Sequence, residues 1–219
     1  MKRREFLRYG GSIGVGVMAS GVVHGQRTPP QTEGPFFPEQ RVLDTDADLT
    51  KREGTTECAD GEQVLIQVFI VDEQDKPISN ARVYIWQACA SGRYKHSEDT
   101  NKAKLDKNFQ YSAQLKTNEK GMVNIKTIIP GAYPASSTRT RPAHIHFRFE
   151  AQDHSTLITQ MYFKGDKYIA IDRILHETEV LYGKQAKQQL IVDFDQQKTE
   201  QGLRKGLFRI VLGQMPSVK

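Results

Sequence analysis

Cysteine is scarce in this 219-residue chain, which contains only Cys58 and Cys89. Their spacing matches no zinc motif, which argues against a cysteine-based metal site. In an oxidising compartment the two residues could form one disulfide, and if they stay apart both remain free thiols. The sequence leaves both alternatives open.

Strong charge and long apolar runs are also missing. The formal net charge is +5, and Lys2, Arg3, Arg4 and Arg8 crowd the start of the chain. The remainder is nearly balanced and has no basic cluster with interleaved aromatics, which argues against a nucleic-acid partner. No segment reaches the roughly 20 strongly apolar residues that span a bilayer. We therefore expect no stable membrane span after processing.

The amino terminus has the layout of an export signal. Residues 1–25 begin with basic side chains, continue with a weakly apolar run and end in small residues before Gln26. Arg3-Arg4-Glu5-Phe6-Leu7 resembles a twin-arginine signal, although Lys2 stands where Ser or Thr is usual. We expect export to the periplasm or outside the cell. Cleavage near Gly25 and retention as an anchor both stay open.

The rest of the chain predicts an all-β fold. Residues 26–60 read as an extended N-terminal arm, and residues 61–219 as one β-sandwich catalytic domain with long loops. Short runs of β-branched and aromatic residues alternate with Gly, Pro and Asp turns rather than with helices. The predicted strands cover residues 64–71, 81–88, 109–117, 122–129, 141–149, 156–163, 189–194 and 207–212. We expect the third and fourth strands to form a hairpin, and residues 178–189 to form a short helix.

A His-x-His pair lies on one predicted strand. Alternation places Ala143, Ile145 and Phe147 on one face and His144 and His146 on the other. At about 3.3 Å of rise per residue, the two imidazoles lie about 7 Å apart, close enough to share a metal ion. A lone His-x-His is weak evidence, since it more often marks the wet face of a half-buried strand.

Two tyrosines are candidates to complete such a site. Tyr94 follows Gly92-Arg93, and Tyr133 lies in Pro130-Gly131-Ala132-Tyr133-Pro134, so glycine flanks both. A free phenol has a pKa of about 10, so binding as phenolate needs a strong Lewis acid. Fe(III) is such an acid and suits hard anionic oxygen. Either tyrosine alone is more often an amphipathic residue at the edge of the core.

Taken together, these motifs resemble the intradiol ring-cleavage dioxygenases, and within that family the β-type subunits of protocatechuate 3,4-dioxygenase. The resemblance extends over residues 32–213. The residues that carry it are Thr32-Glu33-Gly34-Pro35, Trp86-Gln87-Ala88, Gly92-Arg93-Tyr94, Pro130-Gly131-Ala132-Tyr133-Pro134, Arg141-Pro142-Ala143-His144-Ile145-His146 and Leu157-Ile158-Thr159-Gln160.

The resemblance implies a non-haem Fe(III) enzyme with a catecholic substrate and O2. Such an enzyme cleaves the ring between its two hydroxylated carbons and gives a muconate. Iron would be held by Tyr94, Tyr133, His144 and His146, with Tyr133 leaving as the substrate chelates. Arg141 and Gln160 would lie beside the reacting ring. Gly34, Pro35 and Arg141 would contact the substrate.

Two departures leave the substrate open. The family's protocatechuate enzymes carry Trp shortly after the tyrosine motif, where this chain has Ala135-Ser136-Ser137 and a shorter loop. The amino-terminal extension with a tyrosine near the substrate carboxylate has no obvious counterpart. These departures argue against protocatechuate itself and leave a protocatechuate-like or other substituted catechol as the expected substrate. The Gly34-Pro35 arm would replace the α-type partner, either within the chain or across a homo-oligomer.

Two competing interpretations come from shorter stretches. Residues 71–83 resemble transthyretin-like (prealbumin-like) sandwich modules, many of which only bind ligands, so a non-enzymatic exported binding module is the alternative. The tyrosine pair favours the enzyme. A zinc hydrolase built on His144 and His146 would lack a glutamate base and a third ligand at recognisable spacing.

Overall fold

A computed structural model describes residues 25–39, 43–136 and 138–215 of the chain. The predicted export signal lies outside these residues, apart from Gly25. Within the described ranges, no helix combines the length and apolar character needed to cross a bilayer.

The chain is built mainly from β-strands, as the sequence predicted. Two helices and one 3-10 turn lie between the eighth and ninth strands. The elements are β1 (Gln63–Asp72), β2 (Arg82–Gln87), β3 (Ser112–Lys116), β4 (Met122–Ile128), β5 (Tyr133–Ser136), β6 (Arg139–Arg141), β7 (His144–Glu150), β8 (Leu157–Phe163), the 3-10 turn Ile169–Ile171, α1 (Arg173–Tyr182), α2 (Lys184–Gln189), β9 (Ile191–Val192) and β10 (Arg204–Leu212).

The two larger sheets share one hydrophobic core. One has the order β10-β1-β4 and the other β3-β2-β7-β8-β9, while β5 and β6 form a separate two-stranded sheet. Apolar side chains from both larger sheets belong to the same buried cluster. Phe147 of β7 meets Phe208 of β10 with 5.3 Å between ring centroids. The strand-rich prediction is confirmed, and the more specific transthyretin-like topology stays a prediction.

Strand β7 lies inside its sheet, between β2 and β8. Ile145, Phe147 and Phe149 point into the core, as the alternation predicted. The opposite face is not wet: His144 and His146 are each only 2% exposed. The interpretation of the histidines as surface residues is therefore wrong, because other parts of the chain cover that face.

Two local predictions need correction. The run before residue 118 and the run after it do not pair as a hairpin, because β3 pairs with β2 and β4 pairs with β1. The turn at Asn118 forms, but it carries the chain from one sheet to the other. The predicted helix starts earlier and is split in two by Gly183, which has φ 90°.

The two cysteines do not form the disulfide that the sequence left open. Both are free; Cys58 is exposed and Cys89 is buried. Cys89 Sγ lies 3.2 Å from Ser91 Oγ. Cys58 precedes β1 and Cys89 follows β2, and the structure contains both as free thiols.

The arm is bound closely to the sheets. Thr28 donates its amide to Val211, and Gln31 donates its amide to Ile158. Leu49 is fully buried in the shared core. The arm therefore contacts both larger sheets, through Val211 of β10 and Ile158 of β8. The division into an arm of residues 26–60 and a domain of residues 61–219 stays a prediction.

Candidate active site

Four aromatic rings converge on the buried face of β7. The Tyr94 and Tyr133 centroids lie 5.6 Å apart, and those of His144 and His146 lie 4.9 Å apart. Tyr133 is 5.5 Å from His144, and Tyr94 is 6.2 Å from His146. Tyr94 Oη lies 3.5 Å from His144 Nε2. The structure thus brings together the four side chains that the sequence predicted as metal ligands.

Close packing of two glycines fixes the segments that carry the tyrosines. Gly92 has φ +80°, and a Cβ there would lie 2.7 Å from the Ala132 carbonyl oxygen. A Cβ on Gly131 would clash with the Ala90 carbonyl oxygen. Only glycine permits this approach of the two backbones. The segments therefore lie directly against each other, which holds Tyr94 beside Tyr133.

The Nδ1 atoms of the two imidazoles differ in their hydrogen bonding. His144 Nδ1 lies 2.7 Å from the Pro142 carbonyl oxygen. Because a carbonyl only accepts, Nδ1 carries the proton and Nε2 keeps a free lone pair. His146 has a fully buried Nδ1 with no hydrogen-bond partner among the described residues. Its ring stacks on Trp86 instead, at 5.0 Å and 11°.

Burial sets the protonation of the cluster. Burial raises the pKa of Tyr94 well above 10, and the neighbouring Tyr133 adds to this rise. Burial also raises the pKa of Tyr133, although the positive charge of Arg141 opposes the rise. Burial and the Arg141 charge lower the pKa of His144 well below 6.5 and that of His146 to about 3. At neutral pH the histidines are neutral donors, and the phenols are protonated unless a cation compensates their charge.

Arg141 lies beside the four rings and is held by three side chains. Its Nε donates to Asp172 Oδ2 at 2.7 Å. One terminal nitrogen donates to Gln160 Oε1 at 2.8 Å and to Tyr162 Oη at 3.0 Å. The sequence predicted Arg141 near the ring cluster, and the structure places it there.

Gln160 joins the sheet to the arm. It is the cross-strand partner of His146, which puts both side chains on the same face. Its Nε2 donates to the Thr32 carbonyl at 2.9 Å while its Oε1 accepts from Arg141. The amide therefore links the arm to the guanidinium.

The arm brings Gly34 against His146. Gly34 has φ +73°, and a Cβ at this position would lie 3.3 Å from His146 Cε1. The following Phe36 packs on Tyr94 at 4.7 Å, and Phe37 meets Trp86 at 5.0 Å. The paired phenylalanines therefore anchor the arm over the rings.

An open cavity of about 780 Å³ adjoins the rings. Its volume lies within the range of about 300–1,000 Å³ that is usual for small-molecule sites. The predicted site residues that line it are Gly34, Pro35, Tyr133, Arg141 and His146. Ala135, from the altered loop, Ile171, from the 3-10 turn, and Ile174, from the start of α1, form further parts of its wall.

Sequence reasoning missed several residues that shape this site. Asp172 holds Arg141, and Gln31 accepts a hydrogen bond from Tyr162 at 3.0 Å. Asp172 stands just before a helix, which is a signal for an N-cap but not for a partner 31 residues away. Trp86 was noted only within a motif and Tyr162 only within a predicted strand, although each lies opposite one of the two histidines in a neighbouring strand.

The zinc alternative gains no further ligand from the structure. Across the described residues, no three His, Cys, Asp or Glu side chains group closely enough to hold a metal ion. The groups that approach the two histidines are phenols, which zinc sites seldom use.

Comparison with known proteins identifies the family. The dioxygenase family model matches residues 32–213. Because this match covers most of the chain, the protein belongs to the dioxygenase family, and its relatives are intradiol ring-cleavage enzymes. The cluster of two tyrosines and two histidines lies within the matched region.

Individual relatives agree with this assignment. The chain is 38% identical over 182 residues to the protocatechuate 3,4-dioxygenase beta chain of Burkholderia cepacia, covering 81% of this chain and 76% of the relative. It is 32% identical over 121 residues to a catechol 1,2-dioxygenase of Acinetobacter baylyi, covering 49% of this chain and 38% of that protein. These relatives support an enzyme of this kind rather than a non-enzymatic binding module.

A solved structure supports the fold. The dioxygenase domain of a carbohydrate-binding fusion protein from Streptomyces sp. SirexAA-E superposes with a TM-score of 0.65. The alignment covers 87% of this chain and all of that domain, at 23% sequence identity. At this identity the likeness concerns the fold.

Proposed function

We propose that the protein is an exported, Fe(III)-dependent intradiol dioxygenase that cleaves a substituted catechol with O2. The convergence of Tyr94, Tyr133, His144 and His146 on one buried point carries the proposal. Two neutral imidazoles and two phenols form a donor set of nitrogen and hard oxygen, which fits ferric iron better than zinc or magnesium.

Three properties of the chain's own donor atoms support this metal. His144 Nε2 keeps its lone pair because Nδ1 is committed to the Pro142 carbonyl. The buried, unpaired nitrogen of His146 shows that described protein groups alone do not satisfy this ring. The raised pKa values of Tyr94 and Tyr133 mean that only a strongly charged cation would convert both to phenolates.

When bound, ferric iron would supply a Lewis acid that accepts both catechol oxygens and draws electron density from the ring towards reaction with O2. Tyr133 Oη is the group we assign to take up a substrate proton. Burial raises the pKa of Tyr133, so its phenolate is a strong base. Tyr133 also lines the cavity from which a substrate would approach.

Arg141 would act on charge that develops in the substrate. Its Nε and one terminal nitrogen are occupied by Asp172, Gln160 and Tyr162. The remaining terminal nitrogen has no partner among the described residues, and Arg141 lines the cavity. A fixed donor at the site of developing negative charge stabilises the transition state without reorganisation. Gln160 supports this position, and Gly34 and Pro35 supply a wall of the substrate pocket.

An absorption spectrum tests the metal assignment. The iron-loaded protein should show a broad visible band from tyrosinate-to-Fe(III) charge transfer. Tyr94→Phe and Tyr133→Phe should each change or abolish it, while Tyr84→Phe should leave it unchanged because Tyr84 Oη faces Glu150 instead. A folded protein that binds iron without a visible band would overturn the proposal. Oxygen uptake with a panel of substituted catechols then identifies the substrate class.

Export and assembly are separate parts of the proposal. The basic start of the chain supports twin-arginine export to the periplasm or the outside of the cell. Replacing Arg3 and Arg4 with lysine should retain the protein in the cytoplasm, which fractionation measures. The contact of Gly34 with His146 supports an arm that completes the site of its own chain. Size-exclusion chromatography with light scattering decides between a single chain and a homo-oligomer.

A further inference from the structure

Asp172 is a buried carboxylate that pairs with Arg141. Its side chain is 1% exposed, and that of its partner Arg141 is 13% exposed. Burying a lone carboxylate is costly, so an acid in this place needs partners for both oxygens. Each oxygen of Asp172 accepts a hydrogen bond.

The two oxygens of Asp172 serve different parts of the fold. Oδ1 accepts from the Leu175 amide at 2.9 Å, which makes Asp172 the N-cap of α1. Oδ2 accepts from Arg141 Nε at 2.7 Å. The start of the helix therefore fixes the carboxylate, and the carboxylate fixes the guanidinium.

Planarity carries this constraint to the free end of Arg141. The guanidinium is a rigid fork, so fixing Nε and one terminal nitrogen also fixes the other terminal nitrogen. Gln160 and Tyr162 hold the second point of the fork from β8. Asp172 supplies the only negatively charged one of these three contacts, and it lines the same cavity as Arg141.

We propose that Asp172 is a positioning residue for the dioxygenase reaction. It aims the free nitrogen of Arg141 at the substrate and makes the start of α1 part of the catalytic apparatus. The proposal rests on the proposed role of Arg141, so its tests separate the position of the guanidinium from turnover.

The first test uses metal-free protein and nitrogen-15 NMR. The Nε proton of Arg141, assigned through its loss in Arg141→Lys, should exchange slowly in the unmodified protein. Asp172→Ser keeps a side-chain oxygen for the helix cap and removes the carboxylate. Asp172→Asn keeps the size and removes the charge. In both variants the Nε proton should exchange faster, while the Leu175 amide stays protected. Unchanged Nε exchange in folded variants would overturn the proposal.

The second test is a double-mutant cycle on the iron-loaded enzyme. Asp172→Ser should lower kcat/KM by about 10²-fold, as expected for a misplaced catalytic group, mainly through kcat. In an Arg141→Ala background the same change should cause no further loss, because the group that Asp172 positions is gone. Equal losses in both backgrounds would show a merely structural role and overturn the proposal. If the unmodified enzyme turns over no catechol, the proposed function fails, and the NMR result still decides the positioning.

Discussion

Tyr133 and Arg141 are direct cross-strand partners in the two-stranded sheet formed by β5 and β6. Facing residues of an antiparallel pair lie about 5 Å apart, so this ladder sets the spacing between a proposed metal ligand and the cationic group beside it. The Arg141 charge lowers the pKa of Tyr133, although burial outweighs it. The β5–β6 hairpin therefore holds the proposed base, Tyr133, and the positively charged Arg141 in a fixed relative position.

Arg141→Lys should distinguish the contribution of the positive charge from that of the guanidinium geometry. Lysine keeps the positive charge but cannot reach Asp172, Gln160 and Tyr162 at once. We expect kcat/KM to fall by about 10²–10³-fold, the usual loss when one fixed donor to developing charge is removed. Steady-state oxygen uptake with the best catechol measures this.

The same variant should keep its iron, because Arg141 is not a proposed ligand. Iron content and the visible band of Arg141→Lys should therefore match those of the unmodified protein. Turnover equal to that of the unmodified enzyme would contradict a role for the guanidinium geometry. Loss of iron would show instead that Arg141 mainly holds the hairpin together.

The sequence could predict the parts of the fold that depend on local patterns. Alternation in β7 placed Ile145 and Phe147 in the core, and the β-rich runs marked most strands. The sequence could not predict that the strand after Asn118 joins the other sheet. A tight turn has the same sequence pattern whether or not the strands on either side of it pair with each other. Burial of His144 and His146 was also hidden, since the covering arm lies more than 100 residues earlier.

In the candidate site, too, local motifs could be found from the sequence and tertiary contacts could not. Tyr94, Tyr133, His144 and His146 were found because they lie in recognisable motifs. Asp172 was not, because its role depends on a contact with Arg141 that only the folded chain creates. A carboxylate at a helix start has a sufficient local explanation as a cap. Its second function is invisible without the tertiary structure.

Thiol reactivity should report the cysteine arrangement. In the native protein a disulfide-exchange reagent should modify Cys58, which is exposed, and leave the buried Cys89 unmodified. Both should react after unfolding in denaturant without reductant. Cys58→Ser should abolish the native reaction. If unfolded, unreduced protein showed no reactive thiol, a Cys58–Cys89 disulfide would have formed and the structural assignment would be wrong.

The metal-free protein should lose stability on acidification. Burial, followed by the Arg141 charge, lowers the pKa of His146 from 6.5 to about 3. Below pH 6.5 the unfolded chain binds a proton at this residue and the folded chain does not. The stabilisation is therefore fully present above pH 6.5 and is lost as the pH falls towards 3. Between about pH 7 and about pH 5, protonation of His146 in the unfolded chain should lower the free energy of unfolding by about 2 kcal/mol. Urea unfolding at the two pH values measures this.

His146→Gln supplies the comparison for that measurement. Glutamine cannot titrate, so the variant should lose less stability than the unmodified protein over the same pH interval. His144, whose pKa burial also lowers, keeps part of the dependence in both proteins. Identical slopes would show that His146 is more open to water in the metal-free protein than the structure indicates.

Gly34→Ala should weaken iron binding through a contact made by the arm. Gly34 has φ +73°, and its new Cβ would lie 3.3 Å from His146 Cε1. Gly54→Ala is a matched control, since Gly54 has φ +79° and nothing within 4 Å of the added carbon. Both variants should lose about 1 kcal/mol of stability from the left-handed backbone.

Only Gly34→Ala should also raise the dissociation constant for iron, because the methyl group pushes on a proposed ligand. Competition with a chelator measures this constant in all three proteins. Equal iron affinity in the two variants would mean that the arm lies away from His146 in solution. In that case the wall that we assign to Gly34 and Pro35 would have to come from another part of the chain or from a second copy.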